Sequence, residues 1–322
     1  MRVDLAPVPP REAIAYLRSK GLAPPGQRFD WRDHWREEHA RNFVVAKAMQ
    51  DDVLRALQDE LVDALENGRP LADFQRTASE KMKAFGWWGR GLQEDPLTGQ
   101  LEEVQLGSRH RLRVIFDTNM RTAYAAGRWA RIQRTKAAFP YLEYVQIERD
   151  TKRLEHEPFD GLILPVDHPI WQKIMPPNGF FCGCTVLQTN DRKLAREGKQ
   201  VSPEPDFDME SFTNPRTGER STFPVGIHPG FDSSPGHTWM DLSARHEAVT
   251  GHLSAAFRAL DRGYVDQLLR MVQRDGTEAL VAYDLDADPL EAEVDVNFAG
   301  AAASVAPTPE MRRAFEDPDR RT

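Results

Sequence analysis

Two cysteines occur in 322 residues, and they stand one residue apart in "MPPNGFFCGCTV", Met175 to Val186. Thiolates are nucleophiles and soft metal ligands, so Cys182 and Cys184 raise four readings: a metal site, a redox pair, a catalytic nucleophile or buried framework. Cysteines this close bridge each other only with strain. A nucleophilic cysteine needs a base beside it, and the sequence alone shows none. A structural zinc takes four ligands in a tetrahedron, and its local unit is usually two cysteines separated by two to four residues. The single Gly183 is tighter than that. The histidines nearest in sequence are His156 and His168, so Cys182, Cys184, His156 and His168 form the metal candidate set, with zinc as the ion that suits them. Framework cysteines, buried as small hydrophobes, are the competing reading.

A second constellation precedes the cysteines in "RDTKRLEHEPFDGLILPVDH". Arg153, His156, Asp160 and Asp167 are residue types that cluster in acid–base sites. The same types around a β-loop also build buried ion-pair and hydrogen-bond networks. An enzyme reading, either a metal-dependent hydrolase acting on nucleic acid or an ADP-ribosyl-transfer type effector, would draw on Arg153, His156, Asp167 and His168. No P-loop, Gly-rich dinucleotide turn or H-E-x-x-H helix is present, so no cofactor beyond zinc is expected and no catalytic set is recognised.

The elements that must position these residues read as α+β. Residues 9–21 form a short helix with Ala13, Ile14 and Leu17 on its apolar stripe, and "LAPPGQRFDW" reads as a linker. Apolar residues at spacings of three and four predict one long helix from Trp31 to Asn67 and a second from Leu71 to Phe85, joined by "NGRP" as a helical hairpin. Trp87 and Trp88, between glycines, are either an exposed anchor or a corner packed under the hairpin. "EDPLTGQLEEVQLG" predicts a small β-hairpin, after which Ser108 caps a helix running to Ala138. "YLEYVQIERD" and "GLILPV" read as strands, and Cys182 and Cys184 as same-face positions of a closing strand. "SFTNPRTGERSTFPV" predicts another hairpin, and a helix is expected from Ser254 to Gln273. The expected organisation is an N-terminal helix and linker (1–30), a helical hairpin arm with a small β-hairpin (31–107), a core with the Cys-Gly-Cys motif (108–240), and a C-terminal helix with an acidic, partly disordered tail (241–322).

The helix after Ser108 carries Arg113, Arg121, Arg128 and Arg131 within about a quarter-turn at about 100° per residue. That face is either a solvated flank paired with carboxylates or a surface for phosphate or protein contact. With a net charge of −8, any contact with DNA must come from such a local patch. No apolar run approaches the roughly 18 residues needed to span a bilayer. The N-terminus lacks an apolar signal core, so the chain is expected to stay in the compartment where it is made, without membrane contact.

The blocks "FVVAKAM", "ALENGRPLADF", "GWWG", "FDTNMRTAYAAGRW", "RDTKRLEHEPFDG" and "PPNGFFCGCTV" occur in the order and spacing of a known family. The chain resembles the phage Mu protein F-like family, the minor head or head morphogenesis proteins of tailed phages and prophages, over Pro9 to Gly236. The resemblance implies structural work at a portal vertex of the virion, after assembly in the host cytoplasm. Portal, major capsid or scaffold proteins are the implied partners, with phage DNA a further one through packaging or delivery. Family motif positions carry over to Arg153, His156, Gly161, Pro176, Pro177, Cys182 and Cys184. The family usually has a basic residue between its cysteines. Gly183 stands there instead, which weakens a direct DNA contact at that position.

Overall fold

The computed structural model describes residues 10–147 and 152–244, and the backbone of strands at 272–274, 277–282 and 295–297. Residues 1–240 form one compact unit and residues 241–322 another. The second unit shows a three-stranded antiparallel sheet, Val272–Arg274, Thr277–Ala282 and Asp295–Asn297. The Ser254–Gln273 helix lies outside the described residues except for its last two positions, which are strand.

In the first unit, helix α1 (Arg11–Arg18) buries Ala13, Tyr16 and Leu17. Strand β1 (Gly21–Leu22) follows, parallel to β2 (Asn42–Phe43), with the short helix α2 (Glu38–Arg41) between them. The stretch read as a linker is part of the fold. Arg28, 2% exposed, donates to the carbonyls of Ala23 and Met49 and pairs with Asp51. Helix α3 spans Asp51–Glu66, so the helix expected from Trp31 begins twenty residues later. The spacing of Phe43, Ala46 and Met49 imitates a helical stripe, but Asn42 to Val45 are poor helix formers. Phe43 pairs in β2, and Lys47 takes a left-handed backbone, φ 68°. Trp87 and Gln93 both donate to the Lys47 carbonyl, at 2.7 and 3.0 Å. Trp87 is therefore a buried corner residue rather than an exposed anchor.

Helix α4 (Leu71–Ala84) returns antiparallel to α3 after Gly68, φ 62°. A polar knot closes the pair: the buried Glu60 accepts from Thr77 and pairs with Lys81 and Arg69. The hairpin β3 (Arg90–Glu94) and β4 (Leu101–Gln105) leads to helix α5 (Arg109–Thr135), whose first turn is capped by the Ser108 side chain accepting from Arg111 N–H. This 27-residue helix is the spine. It packs on α1, α3 and α4, and at Gly127 the α1 backbone comes so close that a Cβ would lie 3.0 Å from the Ala13 nitrogen.

Beyond α5, strand β5 (Tyr141–Val145) is the centre of a three-stranded antiparallel sheet between β6 (Ile163–Pro165) and β7 (Thr185–Thr189). Helix α6 (Trp171–Ile174) lies between β6 and β7 in sequence, and α7 (Asp191–Glu197) follows β7. The core joins Trp129 and Ile132 of α5 to Leu142, Tyr144, Leu164, Trp171, Val186 and Phe223. Hairpin β8 (Met209–Thr213) and β9 (Arg220–Pro224) follows, with Phe212 stacked on Trp31 and edge-on to Trp35.

Candidate functional site

The residues with chemical potential meet on one side of the β5–β7 sheet, where three irregular segments converge. The 3-10 turn Leu154–Phe159 carries His156. The run from Pro176, whose bond to Pro177 is cis, carries Cys182 and Cys184. The turn after β9 supplies the Gly226 carbonyl. The cysteines precede β7 rather than lying in it: the strand begins at Thr185, and Phe181 takes a left-handed backbone, φ 59°. Their convergence thus comes from a bend, not from the two-residue alternation of a strand.

His156 and Cys182 are buried at 1% and 2% exposure. The His156 Nδ1 atom lies 3.4 Å from the Cys184 sulfur and 3.7 Å from the Cys182 sulfur. All three donor atoms lie within 4.8 Å of one another. On the far side of the ring, Nε2 is 2.9 Å from the Gly226 carbonyl. A carbonyl only accepts, so Nε2 carries a proton toward Gly226 and the Nδ1 edge of the ring faces the two sulfurs. Hydrogen bonds from the Cys184 thiol, from His156 and from the Asn178 and Cys184 backbone N–H groups hold the Cys182 thiol well below its usual range, against the opposing effect of burial. Tyr144 completes the cluster. Its hydroxyl is hydrogen-bonded to Cys184 and accepts from Asn178 Nδ2 at 2.9 Å, and burial pushes its pKa far up, keeping it a neutral phenol.

Arg153 braces the same corner without facing the sulfurs. It donates to the Phe180 carbonyl at 2.7 Å. Its guanidinium runs so close to Gly179 that a Cβ there would lie 2.6 Å from Nη1. Gln146 ties the two ends of the loop, donating from its amide to the Arg153 carbonyl and from its backbone to Asp160. Gly161, φ 75°, lets the chain re-enter the sheet and donates to the Tyr144 carbonyl.

His168 and Asp167 are elsewhere. His168 is hydrogen-bonded to Glu204, and Asp167 pairs with Lys136 at 2.8 Å. The four residues of the enzyme reading are therefore split between two places, and of the metal set only His156, Cys182 and Cys184 come together. The arginines of α5 are also engaged within the fold. Arg121 bridges Asp117 and the Cys182 carbonyl, and Arg128 reaches the Val186 carbonyl. Arg131 pairs with Glu12, and Arg113 lies over the Phe181 ring. Burial, with repulsion from Arg131, lowers the Arg128 pKa. A depression of about 540 Å³ between Gln50, Phe85, Trp87 and Leu92 shares no residue with this corner and is lined by neither histidine nor cysteine.

Sequence reasoning missed Tyr144, Asn178 and Gly226. Asn178 was visible only as a turn residue, and nothing in the spacing pointed Tyr144 or Gly226 at the cysteines.

Comparison with known proteins places the His156 turn and the cysteine run, but not Gly226, inside a family match. The family described as "Phage Mu protein F like protein" matches residues 55–187, from α3 into β7. A protein of Escherichia phage Mu named "Putative capsid assembly protein F" is 35% identical over 224 residues, 67% of this chain and 50% of that protein. The "Mu-like prophage FluMu F protein" of Haemophilus influenzae is 34% identical over 174 residues, 54% of this chain and 41% of its own length. The chain thus spans half or less of the length of these curated relatives. No solved structure matches significantly.

Proposed function

The chain belongs, through residues 55–187, to the phage Mu protein F-like family, and on that premise we propose that it is a minor capsid protein of a Mu-like phage or prophage, acting at the portal vertex in head assembly. The observation that carries this reading is the identity of 35% with the phage Mu relative across 224 residues, a protein named for capsid assembly. The geometry supports structural work. Arg153, Gly161 and the α5 arginines are bonded into the frame, and the residues an enzyme would need lie apart. Among the described residues no helix is long and apolar enough to cross a membrane. In this reading the chain is a non-enzymatic virion component assembled in the host cytoplasm, and it docks on the portal or on the inner capsid and scaffold. Contact with packaged DNA is secondary, since the arginine face is largely spent on intramolecular partners.

Gene deletion in the phage tests the assignment: missing, aberrant or non-infectious heads are expected, and full-size heads of normal number and infectivity would reject it. Co-purification of the tagged chain with its cognate portal protein tests the portal step alone.

A further inference from the structure

We propose that His156, Cys182 and Cys184 bind one zinc ion at the irregular corner of the β5–β7 sheet. The inference does not rest on the head-assembly reading, because it concerns the folded chain by itself.

The spacing of the donors is the first argument. Zinc sits about 2.3 Å from thiolate sulfur and about 2.0–2.1 Å from imidazole nitrogen, and a tetrahedral angle then separates nitrogen and sulfur by about 3.5 Å. The two separations here are 3.4 and 3.7 Å. The second argument is the ring's tautomer. A metal-bound histidine characteristically donates its other N–H to a carbonyl or carboxylate, and His156 Nε2 makes that bond to Gly226. The third is donor accounting. The Nδ1 atom and both sulfurs lie within 4.8 Å of one another, so a single ion can reach all three. One divalent cation uses all three donors at once. Two thiolates and Zn²⁺ also sum to zero charge, as a site this buried requires.

Asn178 gives an independent indication. It is fully buried, its backbone N–H bonds the Cys182 sulfur, and its Nδ2 bonds the Tyr144 hydroxyl beside Cys184. Its Oδ1 is buried with no hydrogen-bond partner, a state that costs free energy unless something donates to it or it ligates. With three protein ligands, the fourth zinc position falls to a water or another small ligand. Two sulfurs and a nitrogen in tetrahedral array select zinc over the harder divalent ions. Cys-x-Cys is tighter than the common zinc unit, and the bend at Phe181 is what lets both sulfurs reach one point.

The test uses the full chain purified under reducing conditions without chelator. Elemental analysis is expected to find about one zinc per chain. Cobalt added to the chelator-stripped, reduced protein should give a thiolate-to-cobalt charge-transfer band and the intense visible bands of a tetrahedral site. His156→Ala and Cys184→Ser should lose the metal, while His168→Ala should keep it. Because the first two variants can unfold, wild-type thiol alkylation is the parallel measurement: zinc should slow labelling of both cysteines at least tenfold, and chelator should restore it. Absence of stoichiometric zinc together with no cobalt–thiolate band overturns the proposal. So does metal binding that survives Cys182→Ser with Cys184→Ser, or alkylation unaffected by zinc.

Discussion

Arg216 and His156 each stand where distant segments of the chain meet, and the two junctions are completed differently. Arg216, on the β8–β9 turn, pairs through Nε with Asp33 and makes a two-pronged bond to Asp95 at 2.7 and 2.8 Å. All three side chains are buried, none more than 11% exposed. The hydrogen bonds from Arg216 hold the Asp95 carboxyl down to about 2, and the two carboxylates raise the Arg216 pKa in turn. Every charge there has its partner on the same chain. At His156 three strong ligands converge with no charge partner among them. The Arg216 junction is closed by opposite charges, whereas the His156 junction brings three ligand-type atoms within 4.8 Å of one another.

That contrast can be broken most directly at Arg216. Arg216→Met leaves Asp33 and Asp95 buried without a cation and should cost about 3–5 kcal/mol, read as a shift in the urea midpoint. The loss should be the same with and without chelator, and a chelator-dependent loss would erase the distinction between the junctions. Next in size is Gly226→Ala. At φ 99° a Cβ would sit 2.5 Å from the Glu155 carbonyl, so relief must move the carbonyl that holds His156. A cost of about 2–3 kcal/mol is expected, with the His156 ring resonances displaced in the NMR spectrum. Tyr144→Phe removes the hydroxyl that joins Asn178 to Cys184 and should cost about 1–2 kcal/mol; a neutral result would show that this hydrogen bond does not brace the corner. The smallest effect in ordinary buffers is the acid response of Asp95. Its folded pKa is depressed, so its contribution is fully present above the unfolded value of 3.8 and is lost as pH falls through about 2. The stability gap between wild type and Asp95→Asn should stay flat at neutral pH and narrow in that acid window.

Local signals made much of the first unit legible. The α3–α4 hairpin, the Ser108 cap, the α5 spine and both β-hairpins follow from periodicity, turn residues and a capping side chain, each of which acts over a few residues. The Trp31–Gln50 region defeated the same reasoning. Its apolar spacing suits a helix, but Trp35 donates to the Pro229 carbonyl and Asn214 to the Arg32 carbonyl, and partners nearly two hundred residues away carry no local period.

The candidate site divides along the same line. The sequence by itself determined which residues could ligate: two thiols, the histidines near them, and the turn that brings the thiols round. Only the tertiary structure decided that His156 joins them and His168 does not, that Tyr144, Asn178 and Gly226 complete the corner, and that the α5 arginines are bound into the fold. Residue type sets what an atom can donate or accept, and that is local. Which atoms face one another depends on how the Leu154–Phe159 turn, the approach to β7 and the turn after β9 are stacked on one sheet, and that stacking is fixed by burial of Trp129, Leu142, Val186 and Phe223 in a shared core.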